Sequence, residues 1–287
     1  MKKILSLALA AMMLFGCVFS FASCNDKELI GFDIDLAKEV GKKLNLEIEF
    51  VEINWDTKEA DLQNKNIDVV WNGFTYTTDR DNGYYDEDRQ AQIGGLAFSK
   101  FYMTNKQVAV VKADSTFTDN ASMANAEFVA EATSAGSKVV EEIFGKSANA
   151  VEKQLDALVG VEAGTYDVAV LDASLASQYV QNKDGAYNGK LKVLDIAGVE
   201  PEYYAIGFRE GSNLADVFNN VLAGLYADGV AKTIAEKYAQ DGVLYNGFGE
   251  YDANYQLPTD GDYAYVKGNG KIVIGYTIFS PMAYFPE

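Results

Sequence analysis

The chain has 287 residues, 42 acidic against 24 basic, for a formal net charge of −18, and it contains no histidine. This negative balance argues against a nucleic-acid partner, and the missing imidazole excludes a histidine triad or a histidine-ligated metal site. Both cysteines, Cys17 and Cys24, lie near the start, so the rest of the chain offers neither a disulfide nor a thiol nucleophile.

Residues 1–24 read as a targeting segment and are set apart from the fold: Lys2 and Lys3, then apolar residues from Ile4 to Phe15 and on toward Ala22. Cys24 follows Phe21-Ala22-Ser23 and precedes polar Asn25-Asp26, the arrangement of a bacterial lipobox in which the cysteine becomes the lipidated first residue. Cys17, after Leu14-Phe15-Gly16, is the rival lipidation site, and an ordinary secretory signal is the plainer alternative. The expected location is extracytoplasmic, either lipid-anchored to the cell membrane or periplasmic. No later apolar run is long enough to span a bilayer. What remains suits two domains of ordinary size.

From Gly31 to Asp172, helix-like and strand-like segments alternate, which favours α/β layering with mostly parallel sheets. Leu36, Ala37, Val40 and Leu44 share one helical face, in a helix with no strand ahead of it. Leu46, Ile48 and Phe50 then alternate as a strand, and residues 67–71 give a short buried one. The tyrosine- and acid-rich stretch from Asp79 to Arg89 reads as a surface insertion or long loop. Past Lys106, strands over 107–111 and 127–130 open a second series, followed by a helix whose Val139, Val140, Ile143 and Phe144 share a face. Further strands are expected over 166–171 and 191–196, and 203–208 reads as one strand leading back to the first series. Two helices follow, striped by Leu214, Val217, Phe218, Val221, Leu222 and Leu225, and by Val230, Ile234 and Tyr238. Residues 249–270 read as a polar linker, whose reach at about 3.3 Å per residue is on the order of 70 Å.

The chain closes on an apolar, β-forming run from Lys271 to Glu287, broken at Pro281. This run is the strand and loop that the helix near Gly31 lacks, so joining the two ends restores a strand–loop–helix unit.

Four segments together are specific: Gly31-Phe-Asp-Ile-Asp-Leu-Ala37; Asn54-Trp55-Asp56 to Leu62; Asn66 through Asp68, Trp71 and Gly73 to Arg80; and Tyr166 to Asp172. With them the chain resembles the amino-acid-binding proteins of bacterial ABC importers, the polar amino acid family that includes glutamine-binding protein. The resemblance spares only the insertion near 81–95 and the linker. It implies an α/β, two-lobed, type II periplasmic-binding-protein fold in circularly permuted order. The implied division is 25–104 and 204–248 for the first lobe, 105–203 for the second, 249–270 for the linker, and 271–287 for the displaced first strand and cleft loop.

The resemblance also implies the ligand site. Arg80 grips the carboxylate of a free amino acid in a two-pronged geometry that lysine lacks. Backbone N–H groups at the helix start, with Thr133, Ser134 and Gly136, share that carboxylate. Asp172 meets the ammonium, helped by the Thr75 hydroxyl and the Gly73 carbonyl. The plainer readings are a surface ion pair for Arg80, helix caps for Thr133, Ser134 and Asp172, and a tight turn for Gly73. Trp55 and Phe279 match the aromatic walls around the ligand side chain, with core packing the alternative for Phe279. Tyr276 stands where glutamine-binding protein has an acidic residue, and Ala132 and Leu171 replace other polar contacts. The implied ligand is thus a neutral or moderately polar amino acid, with a cationic one left open by the many unplaced acids.

The implied partners are the amino acid and the importer's membrane subunits, with no nucleic acid, cofactor or metal, and with membrane contact only through a lipid anchor. Hinges are expected at 102–107 and 201–205, in a monomer or a strand-swapped dimer. The rival readings are a cyclohexadienyl-type dehydratase on the same fold, a sensory or wall-associated module, and a truncated, misjoined or tandem fragment. No acid–base pair stands beyond those that zwitterion binding uses, so no enzymatic activity is expected.

Overall fold

Helix α1 (Phe32–Leu44) forms because Phe32, Leu36, Ala37, Val40 and Leu44 recur on one face, and all of them are buried. The computed structural model describes residues 27–86, 90–132 and 134–286, so Cys17 and Cys24 lie outside the described residues. After α1 come β1 (Glu47–Glu52), α2 (Lys58–Gln63), β2 (Val69–Val70), α3 (Thr78–Asn82), β3 (Tyr84–Asp86), β4 (Ala91–Ile93), β5 (Leu96–Phe98) and β6 (Met103–Asn105). The expected insertion is therefore a short helix and an antiparallel strand pair, β3 with β4.

The second series runs β7 (Gln107–Lys112), α4 (Asn120–Met123), β8 (Phe128–Glu131), α5 (Ala135–Phe144), β9 (Asn149–Val151), α6 (Gln154–Ala163), β10 (Val168–Asp172), α7 (Ala173–Ala176), a π-helical turn at Ser177–Gln181, and β11 (Leu191–Leu194). The chain returns through β12 (Glu202–Tyr204), β13 (Gly207–Arg209), α8 (Leu214–Ala227), α9 (Val230–Lys237), α10 (Gly261–Asn269) and β14 (Lys271–Tyr276). The single strand expected over 203–208 is split in two: β12 pairs with β6, while β13 joins the first sheet. The bend between them carries the chain from one lobe to the other.

The second lobe is a sheet in the order β11-β7-β10-β8-β9. Strand alternation sends Val108, Val110, Ala169 and Leu171 to one face, where Ala157, Leu158 and Val161 of α6 cover them. It sends Ala109, Val111, Val168 and Val170 to the other face, where Val140 of α5 packs. Both faces are apolar, which is why these strands read as continuous hydrophobic runs.

The first lobe is a sheet in the order β1-β14-β2-β13-β5. β14 lies parallel to both neighbours, with Glu47 opposite Lys271, Glu52 opposite Tyr276, and Val69 opposite Ile274. Its Ile272 and Ile274 are fully buried among Leu36, Val40 and Phe218. In each sheet the parallel pairings occupy one side, and antiparallel pairings through β13 or β7 the other. The parallel character expected from the alternation thus holds for part of each sheet.

The residues after β14 complete the start of α1. Its Gly31 N-cap supplies no side-chain bond, and the first N–H groups of a helix need outside acceptors. Phe32 N–H donates to the Pro281 carbonyl at 2.9 Å and Asp33 N–H to the Met282 carbonyl at 3.1 Å. Ile30 and Tyr284 exchange backbone bonds at 2.9 and 2.8 Å. Gly31 has φ +143°, and a Cβ there would lie 2.1 Å from the Met282 oxygen, so only glycine fits beneath this segment.

The linker is less plain than its composition suggests, because it contains α10. Tyr263 and Val266, one turn apart, are both buried. Arg209 of β13 bonds Asp262 at 3.0 Å and Asp68 at 3.2 Å, while Asn213 accepts the Tyr263 N–H at 2.9 Å. Only two of its four apolar residues are buried, too sparse a stripe to mark a helix.

Candidate functional site

A cleft of about 500 Å³ lies between the lobes, lined by Trp55, Asn72, Gly73, Thr75 and Arg80, by Glu131 and Asp172, by Glu202 and Tyr204, and by Thr277, Ile278 and Phe279. The first five and the last three come from the first lobe, Glu131 and Asp172 from the ends of β8 and β10, and Glu202 and Tyr204 from the crossover strand β12. Strand ends of both sheets thus converge on it, as at other α/β ligand crevices. A larger depression, about 650 Å³, lies wholly on the first lobe along Lys38, Lys42 and Glu47 and brings no second lobe to a ligand.

Arg80 follows the side-chain-capped start of α3, where its own N–H bonds the Thr77 hydroxyl at 3.2 Å. Its guanidinium carbon lies 4.6 Å from the centre of the Phe74 ring, and Nη1 donates to the Thr75 carbonyl at 2.6 Å. Stacking plus one backbone bond fixes the plane of the group and leaves most of its donors without a partner among the described residues. Burial pulls its pKa below the usual arginine value, against the opposing pull of Glu59, Tyr84 and Glu202. Among the described residues Arg80 makes no ion pair within 4.0 Å.

Asp172 is held from the opposite side. Its Oδ1 accepts from Asn105 at 2.6 Å and Gln107 at 2.7 Å, and its Oδ2 accepts from Gln154, whose carbonyl oxygen takes the Asp172 N–H at 3.1 Å. These partners are neutral amides, so they orient the carboxylate without cancelling its charge. Asp172 makes no side-chain cap to α7, which removes the capping alternative.

Gly73 has φ +58°, and a Cβ there would come within 2.9 Å of the Phe279 ring. Its N–H donates at 2.7 Å to Asp33 Oδ2, which also accepts the Tyr102 hydroxyl at 3.0 Å. Burial pushes the Asp33 carboxyl up to about 7, although the bonds from Gly73 and Tyr102 favour the ionised form. The Thr75 hydroxyl, expected to help hold an ammonium, donates to Glu202 Oε2 at 3.2 Å. Trp55 stands edge-on to Phe74 at 5.4 Å between ring centres, with Lys58 Nζ 5.0 Å from its own ring.

Thr133 lies outside the described residues. Ser134 caps α5 by accepting the Ser137 N–H at 3.2 Å. The N–H groups expected there to share a carboxylate are partly occupied, since Ala132 bonds Val151 at 2.9 Å and Ser134 bonds Glu131 at 3.3 Å. Gly136 lets α5 meet β10, because a Cβ would sit 2.5 Å from the Val170 oxygen. Neither Ser134 nor Gly136 is among the cleft-lining residues.

Tyr276 is set apart from the others. It is buried against Ile34 and Ala283, its ring edge-on to Phe50. The next residue, Thr277, lines the cleft instead and accepts from Asn72 at 2.9 Å. Successive strand residues face opposite ways, so an offset of one position exchanges a core tyrosine for a cleft threonine. Glu131, Glu202, Asn72 and Tyr204 were also missed. The acids carry no periodic signal that separates them from the chain's other carboxylates.

The model of bacterial extracellular solute-binding proteins, family 3, matches residues 18–241. The L-cystine-binding protein TcyA of Bacillus subtilis (strain 168) is 26% identical over 221 residues, covering 77% of this chain and 76% of its own length. The histidine-binding periplasmic protein of Escherichia coli (strain K12) is 30% identical over 241 residues, covering 76% and 82%. Among solved structures, an ABC uptake transporter substrate-binding protein from Streptococcus pneumoniae with bound histidine is 31% identical, with a TM-score of 0.58, covering 75% of this chain and 85% of that one.

Proposed function

Because the chain belongs to the bacterial extracellular solute-binding proteins, family 3, we propose that it captures a free amino acid between its lobes and delivers it to the membrane subunits of an ABC importer. The observation that carries this reading is the opposition of Arg80 and Asp172 across one cleft, each fixed by its own neighbours and, among the described residues, neither cancelled by an ion pair with the other lobe. A zwitterion needs both charges matched when it leaves water. The cystine- and histidine-binding relatives support the same class of ligand.

Closure about the β6–β12 ladder brings the lobes onto the ligand, and the closed form is what the importer recognises. The first strand of the first lobe is supplied by β14. That strand lies parallel between β1 and β2, and the residues after it cap the start of α1, which supports a circularly permuted order. Among the described residues no helix is long and apolar enough to cross a membrane; membrane attachment is through a lipid on Cys24, or on Cys17 in the alternative.

A thermal-shift screen of the twenty amino acids tests the reading, since a ligand at 100 times its dissociation constant stabilises by about 2.7 kcal/mol. Arg80→Ala and Asp172→Ala each remove the shift while circular dichroism stays native. A variant that binds like the parent by calorimetry would falsify this cleft assignment.

A further inference from the structure

We propose that Glu131 and Glu202 make the cleft select an amino acid whose side chain carries a positive charge. This rests on the amino-acid reading and narrows its ligand class. Among the described residues, three carboxylates line the cleft, Glu131, Asp172 and Glu202, against the one guanidinium of Arg80. A zwitterion brings a carboxylate for Arg80 and an ammonium for Asp172, and therefore no net charge. Once Arg80 is matched to the ligand carboxylate, Glu131 and Glu202 are left facing the same space with no second cation among the described lining residues.

Among the described residues neither forms an ion pair, and the hydrogen bonds they accept come from neutral groups. Glu202 Oε2 takes the neutral Thr75 hydroxyl. Burial raises the Glu202 carboxyl, as does the charge of Asp172, while its bonds from Thr75 and Asn105 and the charge of Arg80 pull it down. Glu131 ends β8 beside β10, the strand that ends in Asp172. Burial raises its carboxyl, Gln154 lowers it, and the Asp172 charge raises it again. Both ionised forms are therefore penalised by their surroundings, and a ligand cation relieves that penalty.

The neighbouring ammonium of Lys58 is engaged elsewhere, with Glu59 at 3.0 Å and the Trp55 carbonyl at 3.0 Å. Trp55 and Phe279 add aromatic walls suited to an alkyl stem ending in a flat cation. Ala132 and Leu171 suggested a neutral ligand because they lack polar side chains. The charge comes instead from Glu131, one position earlier, and from the crossover.

Calorimetry on the full chain with arginine, with citrulline, its uncharged counterpart of equal length, and with glutamine tests the proposal. Arginine is expected to bind at least about tenfold tighter than citrulline, the effect of one or two charge-assisted bonds. Glu131→Gln and Glu202→Gln, checked for native circular dichroism, are each expected to shrink that ratio several-fold. Citrulline binding as tightly as arginine, or a ratio unmoved in both variants, overturns the proposal. Tight citrulline or glutamine with weak arginine, or no binding of any of the three, overturns the charge selection alone; the amino-acid reading falls only if none of the twenty amino acids binds. If a variant does not fold, the parent's ratio decides.

Discussion

The two sheets have similar size and opposite histories along the chain. The second is built from one continuous stretch, β7 to β11, whereas the first draws β1, β2 and β5 from one region, β13 from another and β14 from the far end. Pairing β14 with β1 joins Glu47 to Lys271, a contact of very long range, and such contacts close late because loop entropy must be overcome first. The second lobe can therefore organise from its own residues, and the first cannot. The lobe that carries Arg80 is the one that depends on the distant strand β14.

The sharpest way to break this comparison is to delete residues 271–287. The first lobe then loses the middle partner of β1 and β2, the caps of α1 and the Phe279 wall, and unpaired backbone groups replace the ladder. Hydrogen exchange should show first-lobe amides unprotected and β7, β8 and β10 still protected, with no ligand binding. A monomeric, ligand-binding deletion variant would sink the permuted reading. Gly31→Ala is the milder form of the same test. With φ +143° and a 2.1 Å collision with Met282, it should cost about 3 kcal/mol by chemical denaturation.

Asp33 separates the lobes by pH. Its carboxyl is raised from 3.8 to about 7, so the folded state holds a proton that the unfolded state has lost. Stability from this group is present at low pH and falls as pH rises between those two values, by up to about 1.4 kcal/mol per unit. Asp33→Asn should flatten that slope in denaturant titrations, and an unchanged slope would remove Asp33 as its source. The smallest expected effect is at the lobe contact, where Ser280 donates to Gln178 at 3.1 Å and Gln178 donates to Tyr284 at 3.3 Å. Ser280→Ala should weaken ligand binding by roughly two- to fivefold, the worth of one neutral hydrogen bond. An unaltered affinity would show that this contact is indifferent to closure.

Much of the second lobe was legible because its strands are buried on both faces and its helices are striped, as at Val139, Val140 and Val168. α1 and α8 were legible for the same reason. The central position of β14 was not contained in its own residues; composition marks a strand, while its neighbours β1 and β2 are set by pairing across the sheet. In the cleft, Arg80, Asp172, Thr75, Gly73, Trp55 and Phe279 are brought together. Tyr276 failed on strand phase, a property set by pairing and not by residue type. Glu131 and Glu202 were invisible because 42 acids offer many equal candidates, and only the fold says which of them share a space.

The backbone exchange between Ile30 and Tyr284 also has a mechanical meaning. Tension applied between the two ends of the described chain loads that two-bond bridge before it reaches either sheet. Yielding there frees the Pro281 and Met282 carbonyls from α1 and draws on Phe279, two residues before Pro281 and in the lining of the cleft. Pulling on the termini should therefore speed ligand release at forces too small to unfold either lobe, which makes the join a force-sensitive gate on affinity.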